Sequence, residues 1–267
     1  MSSLVMTVGD GMVLAKRNLI RTLRMPDLFM SSLIMPIMST LLFAYIFGSA
    51  IEAPGVSYRE FLLAGVFVQT VVFNSVITGA GLAEDIQRGI VDRFRSLPIS
   101  SYSVLFGRTA SDLANNVLSL AVMVLAGLLV GWRIDSSFGE GVAGLLLLLA
   151  FAYALSWLLA VVGLSVRAPE VVSNASFMVI MPLSFIANTY VSPEGFPGPL
   201  RVIAEWNPVS AVAQAARELF GNTNPAYPPP DVWPLQNPIV ASIGWIVLIL
   251  VIFVPLATHR YRKAVRR

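Results

Sequence analysis

Hydrophobic positions in this chain gather into long runs, each close to the roughly 20 residues that a helix needs to cross a bilayer core. The runs at 28–47, 61–80, 108–131, 141–166, 171–191 and 238–257 predict six spans, with Pro36 kinking the first. Two other stretches carry a helical period but mix apolar with charged positions. In residues 1–25, Val5, Val8, Met12, Leu19 and Leu23 share one face, and Asp10, Arg17, Arg21 and Arg24 the other. That pattern predicts an interfacial helix lying along a membrane surface. A secretory signal is the competing reading of this terminus. Here, however, the cations follow the apolar residues, and no small-residue cleavage site stands out.

The second mixed stretch, 84–98, follows the second run directly. At 100° per residue, Ile86, Ile90, Phe94 and Leu97 fall on one side of a helix, with Glu84, Asp85, Arg88, Asp92 and Arg95 opposite; Arg93 sits nearer the apolar edge. Glu84 precedes Arg88 by four, Arg88 precedes Asp92 by four, and Asp92 precedes Arg95 by three, spacings that bring opposite charges together. Pro98 disfavours helix at Leu97 and should stop the segment. A docking helix is expected here.

Between the last two runs lies a mixed segment, 192–237. Leu200, Ile203 and Ala204 share a face, Asn207-Pro208 can open a new helix, and Val209, Val212, Ala216 and Phe220 continue at helical spacing. Two short helices re-entering the membrane suit that pattern. Pro225, Pro228, Pro229, Pro230, Pro234 and Pro238 then predict an extended strap.

Composition turns this pattern into a class. With 56% hydrophobic and 12% charged residues and a mean hydropathy of +0.75, the chain has too little polar surface for a water-soluble globule. It reads as an all-α membrane protein, one domain over residues 1–267. The absence of cysteine excludes disulfides and thiolate chemistry. If the six runs all cross, one side collects the N-terminal segment, the 84–98 loop with Arg108, Arg167 and the tail. That side holds fourteen of the 18 Lys and Arg, against Arg59, Arg133, Arg201 and Arg217 opposite. Both termini are therefore expected in the cytoplasm, with the chain multi-pass in the cell membrane. Trp132 and Arg133 are expected at the headgroup level on the far side.

Candidate chemistry is sparse. Neither Lys16 nor Lys263 stands in a phosphate-binding loop, so the chain is not expected to hydrolyse ATP itself. His259 lacks companions for a zinc site or a catalytic triad, so no metal and no catalytic residue is expected. Arg108 and Asp112 are four apart and read as an ion pair near the cytoplasmic interface, with Asn115 and Asn116 one turn deeper. Phe67, Asn74 and Thr78 lie close to one face of the second span; Asn174, Phe177, Met181, Phe185 and Asn188 do so on the fifth. Such residues either line a path for an amphiphile or hold helices together, and spacing alone favours the second.

Glu84 through Ser101, followed by Gly107-Arg108, resembles the loop between spans two and three of type-2 ABC exporter permeases, particularly the daunorubicin/doxorubicin-resistance membrane-subunit group. Ser192-Pro193, Phe196-Pro197, Pro199-Leu200, Ile203, Asn207-Pro208 and Arg217 are similar to that family's outer segment. The resemblance implies a permease that works in pairs, with an identical or related second permease, and moves a hydrophobic or amphiphilic drug or lipid outward. It implies that ATP and Mg belong to a separate nucleotide-binding subunit, with no cofactor in this chain and membrane lipid, not nucleic acid, around it. Glu84, Asp85, Arg88, Gly89, Asp92, Arg93, Arg95 and Pro98 would form the coupling helix to that ATPase. Asp85 departs from the basic residue often found beside the acidic one. Phe67, Asn74, Thr78, Asn174, Phe177, Met181, Phe185 and Asn188 would line the pathway, and Asn207, Pro208 and Arg217 would close it outside. An ATP-independent proton-coupled carrier is the alternative, and would need a titratable group in mid-span. A membrane-embedded lipid enzyme would need Asp, His or Lys clustered at one interface.

Overall fold

The computed structural model describes residues 34, 37, 38, 41, 42, 45, 58–88, 101–166, 168–190, 193–223 and 230–265. Most of the first span, the interfacial segment and most of the 84–98 stretch lie outside them. Eight α-helices and a 3-10 turn (Pro193–Gly195) are seen among the described residues: α1 (Tyr58–Gln87), α2 (Ser101–Val130), α3 (Phe138–Ser165), α4 (Pro169–Ile186), α5 (Gly198–Glu205), α6 (Pro208–Phe220), α7 (Trp233–Gln236) and α8 (Pro238–Val265). Five of them, α1, α2, α3, α4 and α8, are long and apolar enough to cross a membrane, and they correspond to the expected spans two to six.

Local signals explain where several helices begin and end. Ser137 caps α3: its Oγ accepts from the Glu140 amide, while the Glu140 carboxylate accepts from the Ser137 amide, so two end donors are satisfied at once. Pro169 opens α4, and Asn207 caps α6 with Pro208 in its first turn. Gly221 ends α6 at φ 75°, where a side chain would be strained. Hydropathy marks the bilayer part of a helix and not its ends, so α1 runs on to Gln87, α2 begins at Ser101, and α8 carries the basic tail to Val265. The expected strap is interrupted by α7, since Trp233–Gln236 forms a helical turn with Pro234 and Leu235 buried against α8.

At the centre of the bundle α1 packs on α3, with α8 on the other side of α3, α4 on α1, and α2 against both α1 and α3. In the apolar window of α1, 72% is buried, against 17% in α4. Close approach comes from glycine. A Cβ on Gly163 would overlap the Gly79 carbonyl, so α1 and α3 cross backbone to backbone. Helix α6 lies across the ends of α1, α3 and α8 nearest the α2–α3 loop. There Phe67, Trp132 and Phe220 stack edge to face in a triangle, with centroids 5.0, 5.3 and 6.3 Å apart. Three such pairs contribute on the order of 3 kcal/mol beyond burial. Trp132 is thus fully buried and donates from Nε1 to Asn222 Oδ1 at 2.7 Å. The ring therefore meets protein on all sides, and Asn222 supplies the polar partner for its indole nitrogen.

Candidate functional site

Polar side chains concentrate at the two ends of α1. At the α2–α3 loop end, Arg217 of α6 is 1% exposed. Its Nε donates to the Phe61 carbonyl at 3.0 Å, one terminal nitrogen to Asn188 Oδ1 at 2.7 Å, and the other to the Asn188 and Thr189 carbonyls at 2.6 and 3.1 Å. The guanidinium also lies 3.5 Å over the Phe61 ring. One side chain therefore joins α6 to the start of α1 and to the turn that follows α4. A planar fork with donors on two edges suits that task, where an ammonium would serve only one side.

The same turn is held from other directions. Gln69 of α1 donates to the Ser184 carbonyl at 2.9 Å and to the Thr189 hydroxyl at 3.3 Å. Asn188 donates from its backbone to Ser210 Oγ at 3.0 Å and from its side chain to Gln214 Oε1 at 3.4 Å. Asn207 accepts from the Val209 amide through its side-chain oxygen and donates to the Leu183 carbonyl at 2.7 Å. The Asn188 amide goes to Ser210 while the Ser184 carbonyl, its ladder partner, accepts from Gln69 and the Thr189 hydroxyl, which accounts for α4 ending at Ile186 and not near residue 191. Gly65 completes the fit, because a Cβ there would overlap the Thr189 carbonyl.

At the opposite end, α1 finishes in charged residues. Glu84 and Arg88 pair at 2.5 Å with side chains 36% and 58% exposed, as their spacing leads one to expect. Asp85 turns inward and meets Arg108 of α2 at 3.7 Å, while Arg108 Nε also reaches Asp112 Oδ2 at 3.3 Å. Ile86 packs with the buried cluster of Leu82, Leu105, Trp157, Ala257 and Tyr261. The apolar edge of this turn is thereby spent on the subunit's own bundle, and Glu84, Gln87 and Arg88 face out. Gly89, Asp92, Arg93, Arg95 and Pro98 lie outside the described residues.

The other expected site residues divide into two groups. Phe67, Thr78 and Asn188 are buried inside the subunit, Phe67 in the aromatic triangle and Asn188 under Arg217; Asn74 is partly buried. Asn174, Phe177, Met181 and Phe185 lie on the exposed side of α4, where Phe177 stacks at 5.7 Å on Phe73 of α1. Asn207, Pro208 and Arg217 are brought together with Asn188. Sequence reading missed Gln69, Gln214, Phe61 and the Trp132–Asn222 pair. For Gln69 a signal existed, an amide in the middle of an apolar run. Among the described residues there is no group of three metal-ligating side chains.

The family model described as ABC-2 type transporter matches residues 11–220. The chain is 37% identical over 230 residues to a daunorubicin resistance ABC transporter permease protein of Streptomyces coeruleorubidus, covering 86% of this chain and 78% of that one. It is also 26% identical over 217 residues to a putative transport permease of Porphyra purpurea, covering 79% and 74%.

Proposed function

Because this chain belongs to the ABC-2 type transporter family, we propose that it is the permease of an exporter that moves a hydrophobic or amphiphilic compound, drug-like or lipid, outward on ATP hydrolysed by a separate subunit. The observation that carries this reading is a division of labour. A chain of this family that has no phosphate-binding loop ends its most buried helix in an exposed Glu84–Arg88 turn on the cation-rich side of the membrane.

In this reading there are six spans, both termini are cytoplasmic, and the 84–98 segment docks on the nucleotide-binding subunit. Residues 1–25 run along the inner surface beside it. Two permeases, identical or related, face each other across a cavity. The exposed aromatic and methionine surface of α4, with Asn174, Phe177, Met181 and Phe185, lines it, and Phe67, Asn74, Thr78 and Asn188 brace it from within. Helices α5 and α6 sit on the outer side, where Asn207, Pro208 and Arg217 hold the exit closed. ATP can shift the equilibrium toward closure only by binding the closed nucleotide-binding pair more tightly, and its hydrolysis resets the cycle.

The test uses the chain purified with its ATPase and placed in inverted vesicles, with daunorubicin as the probe. ATP-dependent uptake is expected to survive a protonophore and to fall sharply in Arg88→Glu/Arg95→Glu. Uptake that needs a proton gradient and ignores ATP would establish a proton-coupled carrier instead. Unchanged ATPase activity and uptake in the double variant would remove 84–98 from the coupling role.

A further inference from the structure

Where α1 gives way to the charged loop, three ionisable side chains are largely buried. Arg108, Asp85 and Asp112 have side chains only 16%, 20% and 9% exposed. Arg108 reaches Asp85 at 3.7 Å, Asp112 at 3.3 Å and the Ile77 carbonyl at 3.4 Å. From Ile77 to Asp85 is about 12 Å along a helix axis, so one guanidinium grips two turns of α1. Gly81 makes the grip possible. Helical side chains lean toward the preceding turn, and any Cβ at residue 81 would occupy the space that Arg108 fills.

We infer that Arg108 is a positioning residue for coupling, a cross-tie that makes the start of α2 follow the last turns of α1 when the loop between them is pushed. This deepens the permease reading and rests on it. The loop joins α1 to α2, so a force on it bears on both helices, which would splay unless something ties them. The Arg108–Asp112 pair lies within one helix and supports only α2; the contacts to Asp85 and Ile77 are the ones that cross. Stability alone does not call for charge here. Leu82, Leu105, Trp157 and Tyr261 already pack this end, and a mostly buried ion pair adds little net stability over apolar side chains of its size. What the charges supply is a fixed register between two helices, since a guanidinium hydrogen-bonded to Asp112 and the Ile77 carbonyl and ion-paired with Asp85 leaves little freedom to slide.

The chain has no cysteine, so one introduced thiol is the single labelling site in its own band once the two subunits are separated on a gel. Val202 on α5 is 57% exposed, at the far end of the bundle from Arg108. In Val202→Cys, purified with its ATPase in nanodiscs, the labelling rate by a membrane-impermeant maleimide is measured without nucleotide and with ATP plus vanadate. The expected result is a severalfold nucleotide response in the parent and its loss in Arg108→Gln, with the ATPase still bound. Partial recovery is expected in Arg108→Lys, which returns a cation and donors between Asp85 and the Ile77 carbonyl. A full response in Arg108→Gln overturns the inference. Should Arg108→Gln not assemble, Asp85→Asn decides alone: it cuts the crossing pair and leaves Arg108 in place, and a retained response overturns the inference. A parent that retains no ATPase overturns the permease reading itself, before any substitution at Arg108 is made.

Discussion

Replacing Arg217 with lysine keeps the charge and removes the fork. In the native arrangement one guanidinium makes four hydrogen bonds in two directions, to Phe61 on one side and to Asn188 and Thr189 on the other, and rests on the Phe61 ring. A lysine nitrogen has three protons on one atom and can remain with Asn188 and Thr189, so the bond to the Phe61 carbonyl and the planar stacking are lost. A buried hydrogen bond from a charged donor is worth about 1.5–3 kcal/mol, and a desolvated cation on an aromatic face about 2 kcal/mol. The expected cost of Arg217→Lys is therefore about 3–5 kcal/mol. Arg217→Met should cost more, because it also strips the bonds from the carbonyls of Asn188 and Thr189. For a chain of this length each kcal/mol moves the melting temperature by roughly 2–4 °C, so Arg217→Lys should melt on the order of 10 °C below the parent. The assay is thermal unfolding in detergent, followed by tryptophan fluorescence, with Trp132 reporting from its contact with Phe220 in the same last turn of α6 as Arg217. A lysine variant that melts with the parent would refute the idea that α1, α4 and α6 are held together by this fork.

Three further outcomes follow from the same geometry. Gly65→Ala must push α1 off the Thr189 carbonyl and should cost about 1–3 kcal/mol, whereas Gly244→Ala, with open space beyond it, should leave the melting temperature unchanged or slightly raised. Trp132→Phe keeps an aromatic ring in the triangle but leaves Asn222 Oδ1 without its donor, an expected loss of about 1–3 kcal/mol that the double variant Trp132→Phe/Asn222→Leu should partly recover. Glu218 is half-buried, and burial raises its pKa above the ordinary glutamate value, offset in part by a hydrogen bond with Gln214. The folded state then holds this proton more tightly than the unfolded chain. The stability it contributes is full below the ordinary glutamate pKa and is lost as pH rises through the raised one, so Glu218→Gln should flatten the melting curve against pH in that window.

The spans that could be compared were readable because hydropathy and helix length are one-dimensional quantities. The start of α6 was readable as well, since Asn207-Pro208 carries its instruction within two residues. Phe67 and Trp132 show where such reading stops. An aromatic residue on an apolar face looks the same whether it meets lipid, substrate or another ring, and only the fold reveals that these two meet each other and Phe220. The end of α4 eluded the sequence for a related reason. Nothing near Ile186 stops a helix; the Ser184 carbonyl just before it is claimed by Gln69, and the Asn188 and Thr189 carbonyls beyond it by Arg217, residues that stand far along the chain. At the other end of α1, spacing alone gave the Glu84–Arg88 and Arg108–Asp112 pairs. The Asp85–Arg108 contact required two helices to be side by side.

The knot around Arg217 also bears on how such a chain can diverge. Three of its four acceptors are main-chain oxygens, at Phe61, Asn188 and Thr189, and every amino acid carries one. Lineages can therefore exchange the residues at 61 and 189 without unmaking those hydrogen bonds, while position 217 has no substitute with the same donors. A comparison of descendants would find one invariant arginine among neighbours that drift, and covariation methods, which need two partners changing together, would pass over the joint that closes this end of the bundle.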